Sequence, residues 1–372
     1  MIKTSYYQDL TKMNTFGMKV KARCFIEYDS VADLVDIEFE ELARPVLHIG
    51  GGSNLLFTDD FKGTVLHSMI DFIEILDECQ CVPVSSSHCE ERASCHCEER
   101  SDVTISSSVL VSVGAGVVFD DFCAWASKEG LWGVENLSYI PGEVGASAVQ
   151  NIGAYGVEVK DVIRRVYCYD TVDEEFVNFD VEECEYGYRD SIFKDPEVKG
   201  RYIVTHVVFA LSRVPQPKLE YGHLKDAFAE VALSSLTPDL IRKTIIKIRK
   251  EKLPEPSVKG SAGSFFKNPV VSMADFQRIE ASAKAELGAD YMVPHYDLPD
   301  GTVKVPAAWM IEQCGWKGKR SGGAAVWDKQ PLVIVNHTGD AYPEEIVGLE
   351  KRIIASVRTK FGVELSPEVE HV

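Results

Sequence analysis

The stretch that most constrains this chain is residues 141–156, PGEVGASAVQNIGAYG, where glycines recur among small side chains. Glycine has no Cβ and tolerates positive φ, so such a stretch can bring backbone N–H groups close to a flat polar ligand. Gln150 and Asn151 add amide donors and acceptors in its middle. We interpret the stretch as a loop that binds a large cofactor through main-chain hydrogen bonds; the alternative is a pair of glycine-rich turns.

A second stretch of the same character, Gly50–Asn54 (GGGSN), follows the buried-strand pattern Val46–Ile49. Successive N–H groups after a strand form a concavity suited to a diphosphate. No dinucleotide fingerprint is present there, and after Gly114-Ala115-Gly116 the position of a third fingerprint glycine is occupied by Phe119. The glycines at 114 and 116 are therefore interpreted as a strand-to-helix turn, and the cofactor is predicted to bind without a Rossmann fingerprint.

Charge narrows the class of partner. The 372 residues include 58 acidic and 39 basic side chains, for a formal net charge of −19. The negative electrostatic potential of such a protein repels phosphate groups, and this disfavours nonspecific binding to nucleic acid or to anionic membranes. Residues 1–10 lack the apolar core of a signal peptide, and no run of about 18 apolar residues occurs. We expect a cytoplasmic protein with no nucleic-acid or membrane partner.

Residues 79–107 interrupt the pattern with five of the ten cysteines and two copies of HCEER, at 88–92 and 96–100. Cysteine and histidine are zinc ligands, but no Cys-x-x-Cys pair is present. We predict a mobile acidic insertion with no catalytic duty and no metal, and a zinc site is the alternative. The other cysteines are predicted to be reduced thiols: Cys24, Cys123, Cys168, Cys184 and Cys314.

Apolar periodicity gives the regular elements. Strands are predicted at 46–49, 55–57, 65–67, 109–113, 162–169, 202–211 and 331–336, and residues 18–28 are rich in β-formers. Helices are predicted at 31–41, 120–128 (capped by Asp120 or Asp121), 239–250, 273–287, 307–314 and 342–361.

Five motifs in one order along the chain carry a specific resemblance. They are Gly50–Asn54, residues 140–156, Tyr188-Arg189-Asp190-Ser191, residues 263–269 (GSFFKNP) and Pro367-Glu368-Val369. In order and content they resemble the UDP-N-acetylenolpyruvoylglucosamine reductases, flavoenzymes of peptidoglycan precursor synthesis. The resemblance covers the chain apart from 79–107. Residues 219–222 are similar to the form of the family that closes a tyrosine-bearing loop over its substrate.

The resemblance implies an α+β fold, with a two-lobed vanillyl-alcohol-oxidase-like (PCMH-type) FAD-binding domain and a smaller α/β substrate-binding domain. Residues 1–70 with 362–372 would form the first lobe, 71–252 the second, and 253–361 the substrate domain. The chain departs from the family in the insertion and at Glu370-His371, where the family usually has a basic and aromatic pair.

The resemblance also implies non-covalent FAD, NADPH as hydride donor, UDP-N-acetylglucosamine enolpyruvate as substrate, and a monomer. Hydride would pass from reduced flavin to the vinyl carbon, and Ser264 would protonate the neighbouring carbon. Negative charge then develops at the substrate carboxylate. Arg189 as a guanidinium and Glu368 as a protonated carboxyl, its pKa raised by desolvation, would stabilise that charge.

Further positions follow from the matched motifs. The flavin-binding residues are Gly50, Gly51, Gly52, Ser53, Asn54, Leu55, Pro141, Gly142, Gly145, Ala146, Gln150, Asn151, Gly153, Ala154, Tyr155 and Gly156. The substrate-binding residues are Tyr188, Tyr221, Lys252, Asn268 and Gln313.

Two alternatives stay open. The first is another FAD-linked oxidoreductase of the same fold, such as a hydroxyacid or sugar oxidase. The loop 263–269 together with Glu368 argues against it, because an oxidase abstracts a proton and needs no such acid pair. The second is a nucleotide-sugar-binding protein that has lost its flavin. The intact glycine-rich stretches at 50–54 and 141–156 argue against that.

Overall fold

The computed structural model describes residues 1–76 and 108–372. The predicted insertion at 79–107, with its zinc alternative, lies outside the described residues. The chain divides into two compact units. Unit 1 consists of Met1–Tyr28, Asp36–His67 and Lys247–Val372, and unit 2 of Asp29–Val35 and Ser68–Ile246.

The described strands and helices alternate along the chain in short elements. The strands are β1 (Lys3–Asp9), β2 (Lys21–Tyr28), β3 (Val46–Ile49), β4 (Leu55–Leu56), β5 (Phe61–Ser68), β6 (Ile73–Ile75), β7 (Ser108–Gly114), β8 (Gly153–Ala154), β9 (Val157–Glu158), β10 (Ile163–Asp170), β11 (Glu175–Asp180), β12 (Tyr202–Ser212), β13 (Val270–Val271), β14 (Tyr296–Asp297), β15 (Val303–Lys304), β16 (Arg320–Ser321), β17 (Ala324–Val326), β18 (Ile334–Asn336) and β19 (Glu370–His371).

The helices complete the list. The α-helices are α1 (Val31–Val35), α2 (Phe119–Lys128), α3 (Val144–Gln150), α4 (His223–Ala227), α5 (Pro238–Lys252), α6 (Met273–Leu287), α7 (Ala307–Gln313) and α8 (Pro343–Phe361). Short 3-10 helices lie at Glu135–Leu137, Val159–Asp161, Ile192–Lys194 and Leu233–Ser235. None of the helices in the described part of the chain combines the length and apolar character that crossing a bilayer requires.

Unit 1 is built on a sheet of order β1-β2-β5-β3, in which β1 and β2 are antiparallel and β3 and β5 parallel. Two small sheets, β13-β15-β14 and β16-β17-β18, and the pair β19-β4 complete it. Helix α8 presents Ile346, Leu349, Ile353 and Val357, all fully buried, at the spacing of one helical face. Gly362 follows in the left-handed conformation, with φ 71°, and ends the helix.

Unit 2 is built on an antiparallel sheet of order β11-β10-β12-β7-β6. Helix α2 covers it, and the ring of Phe122 lies 4.7 Å from that of Phe209 on β12, centroid to centroid. Both side chains are fully buried. This packing fixes the turn that joins β7 to α2, which residues 114–116 occupy as the sequence predicted.

Three predictions about local structure are wrong. The predicted cofactor loop contains a helix, α3, which ends where Asn151 turns left-handed with φ 45°. The helix predicted at 31–41 stops at Val35. Ile37 and Phe39 are both buried, and residues two apart cannot share one helical face. Helix α2 is not capped by Asp120 or Asp121, because its N-cap is Val118 and no side chain caps it.

The other elements lie close to their predicted bounds, with one instructive exception. The strand predicted at 331–336 begins only at Ile334. Leu332 and Val333 instead pair with the segment Ser264–Phe265. The edge strands β1 and β11 were not predicted, because neither KTSYYQD nor EFVNFD alternates regularly between apolar and polar residues.

The three-part domain division stays a prediction. Segments assigned to the first lobe and to the substrate domain share one core in unit 1. Phe16 and Phe265, for example, meet edge to face with ring centroids 6.1 Å apart.

Candidate active site

The glycine-rich loop 50–54 needs its glycine at position 52. Gly52 has φ 59°, and a Cβ there would lie 1.9 Å from the carbonyl oxygen of Met13. Its own carbonyl accepts a hydrogen bond from the Thr15 N–H at 3.1 Å. The loop therefore lies directly on the backbone of residues 13–15, an approach that any larger residue would prevent.

Asn54 joins this loop to the segment that carries Glu368. Its Nδ2 donates to the Glu368 carbonyl at 3.1 Å, and the Glu370 N–H donates to the Asn54 carbonyl at 2.9 Å. Strands β4 and β19 then continue in parallel, with Leu55 opposite Glu370. Two motifs far apart in the sequence are thus brought together within unit 1.

Ser264 and Glu368 are connected through Phe265. The Phe265 N–H donates to the Leu332 carbonyl, and the Phe265 carbonyl accepts from the Glu368 N–H, each at 2.8 Å. Phe265 is fully buried, whereas Ser264 and Glu368 are half-buried. The backbone of the hydroxyl-bearing residue and that of the carboxyl-bearing residue are therefore held by one buried aromatic residue.

The predicted substrate residues of unit 1 lie around α7 and the end of α5. Asn268 Oδ1 accepts a hydrogen bond from the Ala307 N–H at 2.9 Å, at the start of α7. Gln313 is at the other end of α7, and its carbonyl accepts from Lys360 Nζ at 2.9 Å. These two residues are separated by the length of the helix, roughly 10 Å. Lys252 is half-buried, and this desolvation lowers the pKa of its ammonium group.

In unit 2, the start of the 141–156 stretch is bonded to the turn before α2. The Gly142 carbonyl accepts from Phe119 N–H and the Gly145 N–H donates to the Ala115 carbonyl, each at 3.0 Å. A Cβ on Gly145 would lie 2.9 Å from the Cβ of Ala115. Gly145 thus serves the packing of α3, and its N–H is used within the protein.

Arg189 lies against the second half of the same stretch. Its Nη2 donates to the Gly153 carbonyl at 2.6 Å and its Nη1 to the Asn151 carbonyl at 3.2 Å. The guanidinium carbon is 5.3 Å from the centroid of the Tyr188 ring. Arg189 has φ 55°, a strained conformation for a side chain of this size. The predicted carboxylate-binding residue and the predicted flavin-binding segment are therefore in direct contact.

Further side chains hold these two segments together. Ser191 Oγ donates to the Val149 carbonyl at 2.6 Å, and Lys194 Nζ donates to Gln150 Oε1 at 3.1 Å and to the Arg189 carbonyl at 2.9 Å. Lys194 was not predicted as a site residue. Its positive charge, five residues after Arg189, could have indicated a role in the same site. The side chain of Asn151 is fully buried and bonds Gly187, Glu158 and Lys160, so it orients the protein's own backbone.

Tyr221 lies beside the end of the stretch. Its ring and that of Tyr155 are perpendicular, with centroids 6.4 Å apart. A Cβ on Gly156, which has φ 79°, would lie 3.5 Å from Tyr221 Cβ. Asn136, another residue the sequence did not single out, donates from Nδ2 to the Tyr155 carbonyl at 3.0 Å.

The remaining residues predicted to bind flavin are described by their element and their burial. Pro141 is exposed ahead of α3, Ala146 lies in α3, Ala154 in β8 and Leu55 in β4. Gly50, Gly51 and Ser53 are half-buried. No group of three or more histidine, cysteine or acidic side chains suited to a metal ion occurs among residues 1–76 and 108–372.

The glycine-rich loop of unit 1 fits a diphosphate held by main-chain groups. Gly50 and Gly51 have no side chain of their own to shield their backbone, and residues 50–54 include no acidic side chain that would repel phosphate. Successive N–H groups in such a loop suit an anion of this kind. In unit 2, Arg189 bonds the Gly153 carbonyl and Tyr221 lies beside Gly156, so protein side chains already pack on the second half of the 141–156 stretch.

Comparison with known proteins agrees with this chemistry. A family model described as FAD binding domain matches residues 100–179, and one described as UDP-N-acetylenolpyruvoylglucosamine reductase, C-terminal domain, matches residues 255–372. A UDP-N-acetylenolpyruvoylglucosamine reductase of Bacteroides fragilis strain YCH46 is 46% identical over 98% of both chains. One of Porphyromonas gingivalis strain ATCC 33277 is 42% identical over 98% of this chain and 97% of its own.

A solved structure shares the fold. The UDP-N-acetylenolpyruvylglucosamine reductase of Thermus caldophilus aligns over 100% of this chain and 98% of its own, with 22% identity and a TM-score of 0.61. The sequence relatives extend over almost the full length of the chain at well above the level of chance similarity. This chain belongs to the family of UDP-N-acetylenolpyruvoylglucosamine reductases and is an FAD-dependent oxidoreductase.

Proposed function

We propose that this chain reduces UDP-N-acetylglucosamine enolpyruvate to UDP-N-acetylmuramate, with NADPH as hydride source, for peptidoglycan precursor synthesis. The family it belongs to supports the reaction. The single structural observation that supports it most is the connection of Ser264 and Glu368 through the buried Phe265. The backbone bonds keep the residue with the hydroxyl and the residue with the carboxyl at fixed positions relative to each other. Such a pair suits a reaction that protonates a carbon and stabilises an enolate.

FAD, when bound, supplies the hydride chemistry, and the side chains of this chain supply orientation, charge and a proton. Hydride addition to the vinyl carbon places negative charge on the neighbouring carbon and its carboxylate. The Arg189 guanidinium stabilises that charge, since its contacts with the Asn151 and Gly153 carbonyls fix the orientation of its plane. Glu368, protonated, donates a hydrogen bond to the same carboxylate.

Ser264 gives the proton to the carbon next to the carboxylate. A serine hydroxyl is a weak acid in water, but a carbanion-like partner is a strong base and a fixed position shortens the transfer. The bonds at Phe265 supply that fixed position on the protein side. The resulting alkoxide takes up a proton from solvent after product leaves.

The sugar nucleotide is bound by polar side chains with locally available donors. Tyr221, Lys252, Asn268 and Gln313 bind the UDP moiety, with donors on Lys252 and Asn268 suited to its diphosphate, and Tyr188 is a further substrate-binding residue. These local donors are needed because a protein of net charge −19 repels a diphosphate at long range. We further propose that the enzyme works in the cytoplasm and that it is a monomer. Light scattering of the purified protein would show the second point by a mass of 41.3 kDa, that of one chain.

An anaerobic titration tests the proposal. NADPH should bleach the flavin absorbance in the absence of the sugar nucleotide, and the enolpyruvyl substrate should then restore it. Restoration without consumption of that substrate, or bleaching by a hydroxyacid in place of NADPH, would contradict the proposal and favour an oxidase of the same fold. A protein that retains no flavin after reconstitution would also contradict it.

A further inference from the structure

The segment that carries Tyr221 depends on its neighbours for its position. Residues 213–222 follow β12, and all but Pro217 and Leu219 are exposed. A segment that buries so little apolar surface does not fix its own conformation. Its first residues follow a backbone pairing, in which Ser212 and Trp132 exchange hydrogen bonds at 2.8 and 3.0 Å.

Asn136 holds the middle of this segment. Its Nδ2 donates to the Lys218 carbonyl at 2.8 Å and to the Tyr155 carbonyl at 3.0 Å. The side chain is fully buried, and its Oδ1 has no hydrogen-bond partner. Only the NH2 end of an amide can serve two carbonyls, so these partners fix its orientation. One side chain thus joins the Tyr221 segment to the turn at Tyr155.

The element that carries Asn136 is itself firmly held. It is the 3-10 helix Glu135–Leu137, where Glu135 Oε2 accepts from the Gly133 N–H at 2.6 Å. The Glu135 carbonyl accepts from Ser138 Oγ at 2.7 Å. Glu135 is almost completely buried, so these bonds are shielded from water. Asn136 therefore has a rigid base from which to position two partners.

Weaker contacts support the same connection. Tyr221 meets Tyr155 edge to face, and Lys218 Nζ lies 3.7 Å from Asp161 Oδ2. An edge-to-face ring pair adds modest stabilisation, and an exposed ion pair adds little. The two hydrogen bonds of the buried amide are the directional contacts in this set.

We propose that Asn136 is a positioning residue that fastens the Tyr221 segment to the Tyr155 turn. The segment proposed to bind flavin then also places the tyrosine proposed to bind the sugar nucleotide. The roles of Tyr155 and Tyr221 in this inference rest on the proposed function. The fastening itself is a property of the fold and is open to a test that needs no substrate.

That test is limited trypsin digestion of the flavin-loaded protein at Lys218. Asn136→Asp keeps the size of the side chain but replaces the donor with an acceptor facing two carbonyls. We expect cleavage after Lys218 to become about tenfold faster, as the segment opens locally. Cleavage as slow as in the wild type would overturn the inference.

A matched control separates fastening from general stability. Asn14 of unit 1 is also buried, and its Nδ2 also donates to two carbonyls, those of Leu10 at 2.8 Å and Met18 at 3.1 Å. Asn14→Asp should lower the melting temperature comparably while cleavage at Lys218 stays slow. Equal acceleration in both variants would reduce Asn136 to a merely structural residue. Should Asn136→Asp fail to fold, Asn136→Ser, whose hydroxyl is too short to span both carbonyls, serves in its place.

A kinetic cycle then asks whether Asn136 acts through Tyr221. We expect Asn136→Asp to raise KM for the enolpyruvyl substrate about tenfold with a smaller change in kcat. In a Tyr221→Ala background the same change should add little, because the residue it positions is gone. Additive effects would contradict the inference. If NADPH does not bleach the flavin absorbance of the wild-type protein, that result would count against the proposed function. The trypsin result would still stand.

Discussion

The side-chain amide of Asn54 donates to the main-chain carbonyl of Glu368 across 3.1 Å, although 314 residues separate them in the chain. This bond joins the first glycine-rich loop to the residue proposed to stabilise the enolate. Parallel pairing of β4 with β19 continues the contact. The position of Glu368 is thus set by the loop proposed to hold the cofactor.

Ser264→Ala should separate the two halves of the reaction. Bleaching of the flavin by NADPH needs no proton from Ser264, so its rate should stay near that of the wild type. Reoxidation by the enolpyruvyl substrate should slow by about 10²–10⁴-fold, the usual loss for a general acid. Stopped-flow absorbance at the flavin band measures both rates, and Ser264→Cys should recover part of the second. Slower bleaching with normal reoxidation would show that Ser264 contacts the cofactor instead.

Glu368→Gln should slow the same half-reaction for another reason. The amide can still donate a hydrogen bond, but it is a weaker donor than a carboxylic acid to developing negative charge. We expect a loss of about 10²-fold in reoxidation, the order found when an oxyanion donor is removed. The main-chain bond from Asn54 is unaffected, so flavin content should not change. Loss of flavin from this variant would indicate that the side chain supports the loop.

Gly52→Ala should destabilise unit 1 more than its backbone angle alone explains. A Cβ there would lie 1.9 Å from the Met13 carbonyl oxygen, whereas Gly17, with the similar φ of 66°, has open space around it. Gly17→Ala should cost about 1 kcal/mol in the free energy of unfolding. Gly52→Ala should cost more than twice that and reduce flavin retention, because the loop must move away from residues 13–15. Urea denaturation measures the free energy of unfolding of both variants. An equal loss in Gly17→Ala and Gly52→Ala would contradict the prediction.

The stability of unit 1 should fall as the pH rises above neutrality. His371 Nε2 lies 3.1 Å from Glu350 Oε2, and this carboxylate raises the pKa of His371 above its ordinary value of 6.5, while Lys351 opposes the shift. A raised histidine pKa contributes stability that is complete below about 6.5 and is lost as the pH passes through the folded-state pKa. Beyond that point Glu350, which is 5% exposed, loses the positive charge of its neighbour His371.

His371→Gln is the variant that checks this. Its melting temperature should be lower than that of the wild type at pH 6, and the two should converge by pH 9. His337, which is half-buried and has no carboxylate among the groups that shift its pKa, provides the control substitution. A wild-type melting temperature that stays level from pH 6 to 9 would contradict the prediction.

The sequence predicted the elements of this fold best where apolar residues recur with a clear period. Helix α6 has its predicted bounds, and β12 lies within one residue of them. Prediction from the sequence failed where tertiary contacts override the conformation that the local residue pattern favours. Residues 144–150 are helical although glycine and serine weaken that preference, because the stretch packs on Ala115. Residues 332–333 leave their predicted strand to pair with Ser264–Phe265.

The site was predicted as motifs, and the structure supplies the connections between them. Arg189 was predicted from the motif Tyr188-Arg189-Asp190-Ser191, whereas its contact with Gly153 is made across 36 residues of chain. Asn136 carries no motif of its own, so only the carbonyls it reaches reveal its role. Asp120 resembles a helix cap in sequence but accepts from Tyr139 N–H and pairs with Arg242 instead. Such contacts depend on the completed fold.

Unit 1 is assembled from three separate stretches of chain, and the last of them begins at Lys247. During synthesis, unit 2 emerges complete once Ile246 has left the ribosome, so we expect it to fold first. Strands β1, β2, β3 and β5 are by then already made, but helix α8 and the residues Leu365 and Val369 that complete their core are not. The nascent chain therefore exposes the apolar face of a half-built unit throughout the translation of its final third. Chaperone binding should concentrate on this interval, and slower translation after Ile246 should prolong it.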